Sequence, residues 1–229
     1  MTCIAIIPAR GGSKGIPNKN LAEVNGQSLV TRAINSAVES GVVDFIVVSS
    51  DNLAILTAAA TAGAIAIERP AELASDSAAI EDAISHALHK FSESHPTPTT
   101  LVLLQPTSPL RQASTISDAV RIFAESGNTG CVYGVIEAEH HPYKTLIATD
   151  AGLQPIRDTE DLSRSRQDLP KAYRQSGSIY VVGVQDFLVN NSLHVSPIRW
   201  IEVSHEEGID IDTPADLEAA RIAWHKFNV

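Results

Sequence analysis

Short apolar runs and amphipathic stripes alternate along the first third of the chain. Residues 3–9 form an apolar run that is too short for a helix and is closed by turn residues, which is typical of a buried strand. An amphipathic helix and a second strand at 43–49 follow. A second helix, capped by Asp51 and ended by Gly63, leads to a third strand at 64–67. This alternation predicts an α/β fold with a mainly parallel sheet flanked by helices.

The later part of the chain continues this pattern and then interrupts it. Four further strands are predicted, at 101–104, 130–136, 179–184 and 195–201, and a last helix begins at Thr213. In residues 138–176 polar and charged residues dominate, and the helical or strand period is weak. So long a loop inside a compact domain is usually functional or makes contacts between subunits. We therefore expect a single domain over 1–229 with an arm inserted at about 138–176.

Composition and charge exclude several classes of partner. The formal charge of −10, from 17 basic and 27 acidic residues, argues against nucleic acid or an anionic membrane as the main partner. Cys3 and Cys131 lie in apolar runs and predict buried free thiols in a reducing cytoplasm. The first apolar run is too short for a signal peptide, and no window resembles a membrane span. We expect a cytoplasmic protein that binds small molecules.

A glycine-rich basic turn follows the first predicted strand. Its glycines and proline let the backbone fold tightly, so that N–H groups can surround phosphate oxygens while the cations supply countercharge. The turn contains Arg10, Gly11, Gly12, Lys14, Gly15, Pro17 and Lys19. Because the patterns GxxxxGK(S/T) and GxGxxG are both absent, the sequence predicts a different kind of nucleotide loop. A solvated basic surface loop is the alternative.

Two more polar segments follow predicted strands. Ligands of parallel sheets collect at the carboxyl ends of the strands, where both segments are expected to lie. Residues 69–78 end in Asp76 and Ser77, which are expected to cap the next helix. Residues 105–111 contain two prolines that fix an extended backbone. The polar side chains of the same segment, Gln105, Thr107, Ser108 and Arg111, offer donors to an oxygen-rich substrate. A structural ion pair is the alternative for Arg111.

Two aspartates near the end of the chain predict a metal site. Asp210 and Asp212 are two residues apart, so an extended backbone turns both carboxylates to the same side. Like charges in this position repel each other unless a cation lies between them. Mg²⁺ prefers one or two carboxylates together with phosphate oxygens and is therefore expected beside a nucleotide loop. Alternatively, the couple shields the N-terminus of the last helix or pairs with a lysine.

These segments together resemble one enzyme family. Residues 7–20, Ile-Pro-Ala-Arg-Gly-Gly-Ser-Lys-Gly-Ile-Pro-Asn-Lys-Asn, are similar to the signature of the bacterial CMP-sialic acid synthetases (acylneuraminate cytidylyltransferases). Four similar motifs follow in the family's order: Arg-Pro-x-x-Leu-Ala-x-Asp, Leu-Gln-Pro-Thr-Ser-Pro-Leu-Arg, the basic stretch from 140 to 180, and Asp-Ile-Asp. The resemblance implies a Rossmann-like, Mg²⁺-dependent nucleotidyltransferase. It would convert CTP and an N-acylneuraminate (sialic acid) into the CMP-sugar and pyrophosphate, as a homodimer joined through the 138–176 arm.

The resemblance also implies roles for individual residues. The implied catalytic residues are Arg10, Lys14 and Asp212. The implied metal ligands are Asp210 and Asp212. The implied nucleotide-binding residues are Arg10, Gly12, Lys14, Lys19, Asn20, Arg69 and Ala78. The implied sugar-binding residues are Gln105, Arg111, Lys144, Arg166 and Tyr173.

Three departures from the family's pattern leave alternatives open. Ile80 stands where relatives often have a hydroxyl, Ser176 replaces an asparagine, and Leu193 and His194 replace an aromatic pair found in some relatives. Legionaminic acid or a related acid is the alternative substrate. A GT-A-like glycosyltransferase that holds its metal through Asp-x-Asp, or a non-catalytic nucleotide-binding protein, is the alternative class.

Overall fold

The computed structural model describes residues 2–227, which contain eleven strands and seven α-helices. The strands are β1 (Cys3–Pro8), β2 (Glu23–Val24), β3 (Gln27–Ser28), β4 (Phe45–Ser50), β5 (Ile65–Glu68), β6 (Thr100–Leu103), β7 (Cys131–Glu137), β8 (Leu146–Thr149), β9 (Gly152–Pro155), β10 (Tyr173–Gly183) and β11 (Ile198–Glu202). The helices are α1 (Leu29–Ser40), α2 (Leu53–Thr61), α3 (Ile80–Ser92), α4 (Ala113–Glu125), α5 (Thr159–Ser163), α6 (Val184–Asn190) and α7 (Pro214–Phe227). No helix in the described part of the chain is long and apolar enough to cross a membrane.

Seven strands form one sheet, in the order β11-β7-β10-β6-β1-β4-β5. Neighbouring strands run parallel, except that β10 is antiparallel to both β6 and β7. The prediction of a mainly parallel sheet flanked by helices is confirmed. Because β10 is reversed, its first residues lie at the same edge of the sheet as the carboxyl ends of β1 and β6. That edge carries the predicted site.

Helices cover both faces of the sheet, which is why its strands are continuous apolar runs. In β1, Ala5 and Ile7 pack in a core with residues of α1, α2 and α4, whereas Ile4 and Ile6 pack with residues of α3 and α6. A third, smaller cluster attaches α7 beside the glycine-rich turn and contains Val24, Leu29, Ile211, Leu217 and Ala220. Cys3 and Cys131 are free and buried, as predicted.

Two predicted helix caps are wrong. The side chain of Asn52, and not that of Asp51, accepts hydrogen bonds at the start of α2. Helix α3 is preceded by Ala79, which has no side-chain acceptor, and neither Asp76 nor Ser77 caps it. Asp51 and Asp76 therefore remain available for contacts at the site edge of the sheet.

The segment 138–176 has more structure than its sequence predicts. It contains the hairpin β8-β9 and helix α5, and then runs into β10. Buried Asp161 holds it together through ion pairs to Arg157 at 2.8 Å and Arg164 at 3.2 Å. Large apolar side chains are nevertheless exposed on its surface, at Leu146, Ile147, Leu153 and Ile156. The short helix α6 was not predicted either.

Candidate active site

A cavity of about 580 Å³ opens at the carboxyl ends of β1, β5 and β6. This volume lies in the range of ~300–1,000 Å³ that is usual for small-molecule sites. Nine of the site residues predicted from the sequence line the cavity: Arg10, Lys14, Lys19, Asn20, Arg69, Ala78, Gln105, Asp210 and Asp212. The fold therefore brings together the glycine-rich turn, the segment after β5, the segment after β6 and the aspartate couple.

Hydrogen bonds attach the glycine-rich turn to Asp51 and join its two ends to each other. The backbone N–H of Gly11 donates to Asp51 Oδ1 at 2.8 Å, and Asn20 Nδ2 donates to the carbonyl of Arg10 at 2.8 Å. A Cβ added to Gly15 would lie 2.1 Å from the carbonyl oxygen of Asp212. A glycine is required at that point because the turn approaches the backbone of the aspartate couple so closely.

Lys19 joins the turn to the aspartate couple directly. Its Nζ donates to the carbonyl of Ile211 at 2.7 Å and to Asp212 Oδ1 at 2.9 Å, and its side chain is only 14% exposed. The sequence offered pairing with a lysine as an alternative to metal binding, and Asp212 does form such a pair with Lys19. The same lysine lines the cavity, so it can also face a bound phosphate.

The buried side chain of Ile211 and several hydrogen bonds fix the backbone of the aspartate couple. Ile211 is fully buried in the third cluster, and its N–H donates to the carbonyl of Thr107 at 2.9 Å. Asp216 accepts hydrogen bonds from the N–H groups of Asp212 at 3.1 Å and Thr213 at 2.7 Å. In return, Thr213 Oγ1 accepts from the N–H of Asp216 at 3.3 Å. This reciprocal cap agrees with the predicted start of the last helix and orients Asp212.

Asp210 lies where a carboxylate is disfavoured. Although Asp210 is an exposed residue, partial burial of its carboxyl is the main cause that raises its pKa; a hydrogen bond with Thr107 lowers this pKa, and the charge of Asp212 raises it. A cation beside the couple would relieve this repulsion. Among the described residues, the couple belongs to no group of three His, Cys, Asp or Glu side chains that could hold a metal. Two carboxylates beside an open cavity nevertheless fit Mg²⁺, which takes its other ligands from phosphates and water.

Arg69 is a buried cation at the wall of the cavity. It is 6% exposed, and its Nε and Nη2 have no hydrogen-bond partner within residues 2–227. Burial lowers the pKa of Arg69, the charge of Asp51 raises it, and that of Arg10 lowers it. A buried guanidinium without acceptors is costly, so this side chain is suited to a ligand that supplies them.

Asp76 lines the cavity and does not cap α3, where the sequence predicted it. Its Oδ1 lies 2.9 Å from Arg10 Nη1, and its Oδ2 lies 2.9 Å from Lys14 Nζ. The hydrogen bond from Lys14 is the main cause that lowers the pKa of Asp76. The sequence suggested a helix cap for Asp76 and placed it in the motif Arg-Pro-x-x-Leu-Ala-x-Asp. It did not indicate the two cations, because an ion-pair partner far away in the sequence leaves no local signal.

Arg111 lies behind the cavity, where it holds two backbone segments together. Its Nε donates to the carbonyl of Ser178 at 2.5 Å and its Nη2 to the carbonyl of Gln105 at 2.6 Å. Burial lowers the pKa of Arg111 to about 9, against the opposing charge of buried Glu207. These contacts with backbone carbonyls give Arg111 a structural role, although not through the ion pair named as the alternative, and they do not support the predicted direct contact between Arg111 and a sugar.

Four other predicted site residues do not line this chain's cavity. Gly12 is an exposed residue of the glycine-rich turn. In the arm, Lys144 Nζ donates to the carbonyl of Arg164 at 2.5 Å, Tyr173 Oη donates to Glu202 at 3.2 Å, and Arg166 is exposed. Within one copy of the chain, the arm residues are thus separate from the nucleotide candidates.

The three departures from the family's pattern have different surroundings. Ile80 lines the cavity, so an apolar side chain stands at this point of its wall. Ser176 is buried, and its Oγ lies 2.7 Å from Ser178 Oγ. His194 Nδ1 forms a hydrogen bond of 2.5 Å with Tyr133 Oη and does not line the cavity.

The match to a family model decides which family this architecture represents. Residues 4–221 match the model described as "Cytidylyltransferase". The chain belongs to the cytidylyltransferase family. The relatives named below confirm the resemblance to CMP-sialic acid synthetases. A solved nucleotidyltransferase has the same fold. That structure is a CMP:2-keto-3-deoxy-manno-octonic acid synthetase complexed with CTP, with a TM-score of 0.73 and 17% identity, over 99% of this chain and 100% of the other.

Three relatives of this cytidylyltransferase carry informative names. N-acylneuraminate cytidylyltransferase of Streptococcus agalactiae is 31% identical over 95% of this chain but 52% of its own length. CMP-N,N'-diacetyllegionaminic acid synthase of Legionella pneumophila is 33% identical over 94% of this chain and 93% of its own. Pseudaminic acid cytidylyltransferase of Campylobacter jejuni is 28% identical over 98% of this chain and 97% of its own length. The chain thus spans about half the length of the streptococcal relative and nearly all of the other two.

Proposed function

We propose that this cytidylyltransferase couples CTP to a nonulosonic acid and releases pyrophosphate, with N-acylneuraminate as the first candidate acid. The observation that carries the proposal is the ion pair between Lys19 and Asp212, because it joins the phosphate-loop candidates to the metal candidates beside one cavity. The relatives named for CMP-sialic, legionaminic and pseudaminic acid chemistry support the same reaction.

The cations of the cavity suit a nucleoside triphosphate. In the proposal, Arg10 and Lys14 stabilise the β- and γ-phosphates and the departing pyrophosphate, while Lys19 faces the α-phosphate. Fixed positive charge at the point where negative charge develops is the main contribution of a protein to phosphoryl-type transfer. The proposed nucleotide-binding set is Arg10, Gly12, Lys14, Lys19, Asn20, Arg69 and Ala78, and all but Gly12 line the cavity.

Asp210 and Asp212 are the residues that would hold Mg²⁺. A bound Mg²⁺ would neutralise phosphate charge and help to orient the triphosphate. Asp212 is also the proposed base, which takes the proton of the anomeric hydroxyl as that oxygen bonds to the α-phosphorus. The bond from that phosphorus to the bridging oxygen breaks, and pyrophosphate leaves with the electron pair. Positioning of the two reactants supplies most of the remaining acceleration.

The sugar acid is proposed to bind near Gln105, which lines the cavity, with help from the arm of a second copy. Lys144, Arg166 and Tyr173 do not line the cavity of their own chain, so they would reach a sugar only in a homodimer. Exposed apolar side chains on the 138–176 arm support such an interface, because large apolar groups on a surface are typical of protein contacts.

A legionaminic acid is the second candidate substrate, because the Legionella relative matches over nearly its whole length. The test is pyrophosphate release with CTP, MgCl₂ and, in turn, N-acetylneuraminic, diacetyllegionaminic and pseudaminic acid. We expect release with one acid and no release without an acid. Consumption of a sugar nucleotide without pyrophosphate release would favour a glycosyltransferase. CTP binding without turnover of any acid would favour a non-catalytic nucleotide-binding protein.

A further inference from the structure

One carboxylate connects the two cations proposed to bind the triphosphate. Asp76 makes ion pairs of 2.9 Å with both Arg10 and Lys14, one through each carboxylate oxygen. Arg10 Nη1 also donates to the carbonyl of Ser75 at 3.2 Å, so the contact involves the backbone of the same segment. All three charged residues line the cavity, which puts an anion of the protein itself on the predicted phosphate cations.

Asp76 lies in the turn between Ser75 and Ala78, and its carboxylate does not cap a helix. The residue before α3 is Ala79, and the hydrogen bonds and ion pairs of the Asp76 carboxylate within residues 2–227 go to the two cations. The bridge is also open to water, since the side chain of Asp76 is 49% exposed and that of Lys14 is 80% exposed. Exposed ion pairs contribute little to stability, so a stronger anion can replace this carboxylate.

We propose that Asp76 is an exchangeable counter-ion of the cavity: its carboxylate holds Arg10 and Lys14 until a ligand with linked phosphates takes its place. The inference rests on the proposed function, because it identifies these two cations as the β,γ-phosphate site. A pyrophosphate group offers more charge and more acceptor oxygens than one carboxylate, so it displaces Asp76. When pyrophosphate is the product, the returning carboxylate competes with it and favours its release. Asp76 therefore weakens binding of the linked phosphates without affecting a ligand that carries only the α-phosphate.

The test compares pyrophosphate with CMP as ligands in calorimetric titrations without metal. We expect Asp76→Asn to bind pyrophosphate about 3- to 10-fold more tightly than the wild type does, because each exposed ion pair it removes is weak. CMP, which does not reach the β,γ site, should bind equally well to both. Glu72→Gln is the matched control: Glu72 is an exposed residue in the same segment, has no ion pair within the described residues, and undergoes the same change of charge.

Unchanged or weaker pyrophosphate binding by Asp76→Asn, with CMP binding retained, would overturn the inference. Equal tightening by Glu72→Gln would also overturn it, because the effect would then come from net charge alone. Asp76→Ala repeats the comparison without an amide that could still bond to Lys14, and it should match Asp76→Asn. A wild-type protein that binds neither CTP nor CMP would contradict the proposed function, and with it the inference.

Discussion

Lys19 Nζ lies 2.9 Å from Asp212 Oδ1, so a residue of the glycine-rich turn and a residue at the other end of the chain form one ion pair. A second contact reinforces this one, since the carbonyl of Asp212 occupies the space that a side chain at Gly15 would need. The turn and the aspartate couple are therefore one structural unit. A change that moves the backbone of either one should therefore displace the other.

Asp212→Asn should lower turnover by about 10²–10³-fold and change the dissociation constant of CTP by less than about 3-fold. The reason is that the substitution removes the proposed base and a metal ligand but leaves Arg10 and Lys14 in place. Steady-state kinetics and calorimetry measure the two quantities. Asp118→Asn is the control. It also removes the charge of an aspartate in an ion pair, but this aspartate lies on the surface of α4 and pairs with Arg121. Equal losses of turnover and CTP affinity would contradict the role proposed for Asp212.

Gly15→Ala should destabilise the protein and reduce turnover. The added Cβ would meet the carbonyl oxygen of Asp212 at 2.1 Å, so the turn must move away from the aspartate couple. We expect a loss of about 1–3 kcal/mol in the free energy of unfolding, as for other overpacked sites, measured by denaturant titration. At Gly12 an added Cβ meets no described atom within 4 Å, so Gly12→Ala should unfold at the same denaturant concentration as the wild type. Equal stability of Gly15→Ala and the wild type would show that the close approach is not needed.

The raised pKa of Asp210 predicts that stability and function are opposed at this residue. Because the folded state disfavours the charged form, the wild-type protein is penalised above the raised pKa and gains stability as the pH falls through it. Asp210→Asn removes this penalty and should raise the free energy of unfolding at neutral pH. The difference from the wild type should shrink as the pH falls to about 3, where the carboxyl is protonated in both states.

Denaturant titrations at neutral and acid pH check this expectation, and turnover should be lost in the same variant because a proposed metal ligand is removed. Asp118→Asn provides the matched comparison, since Asp118 forms an exposed ion pair on α4 and does not line the cavity. An Asp210→Asn protein that is less stable than the wild type at neutral pH would contradict the electrostatic argument.

The arm can be tested through an exposed leucine. Leu153 in β9 is 67% exposed, and a charge there should weaken an apolar interface. We expect the wild type to sediment as a dimer and Leu153→Glu to sediment as a monomer at micromolar concentration. Val189→Glu is the control, because Val189 is an equally exposed apolar residue, 73% exposed, but lies in α6 outside the arm. A wild-type monomer, or a Leu153→Glu dimer, would reject the proposed interface.

Local patterns were sufficient for the core of the fold. A short apolar run closed by turn residues predicted a buried strand at residues 3–9, and β1 occupies Cys3–Pro8. Helix α6 was missed because seven residues are too few to show a helical period. The hydrophobic pattern also could not predict that β10 runs antiparallel to its neighbours, because an apolar run looks the same in a parallel and in an antiparallel strand.

By itself, the sequence determined the alternation of strands and helices, the basic glycine-rich turn and the aspartate couple, because strand and helix periods and tight turns are properties of neighbouring residues. Only the tertiary structure decided which charges meet. Asp76 bonds to Arg10 and Lys14 and does not cap α3, and Arg111 binds two carbonyls behind the cavity. The physical reason is that an ion pair or a buried hydrogen bond depends on distance and solvent exclusion, which segments remote in the chain create only when the sheet brings their ends together.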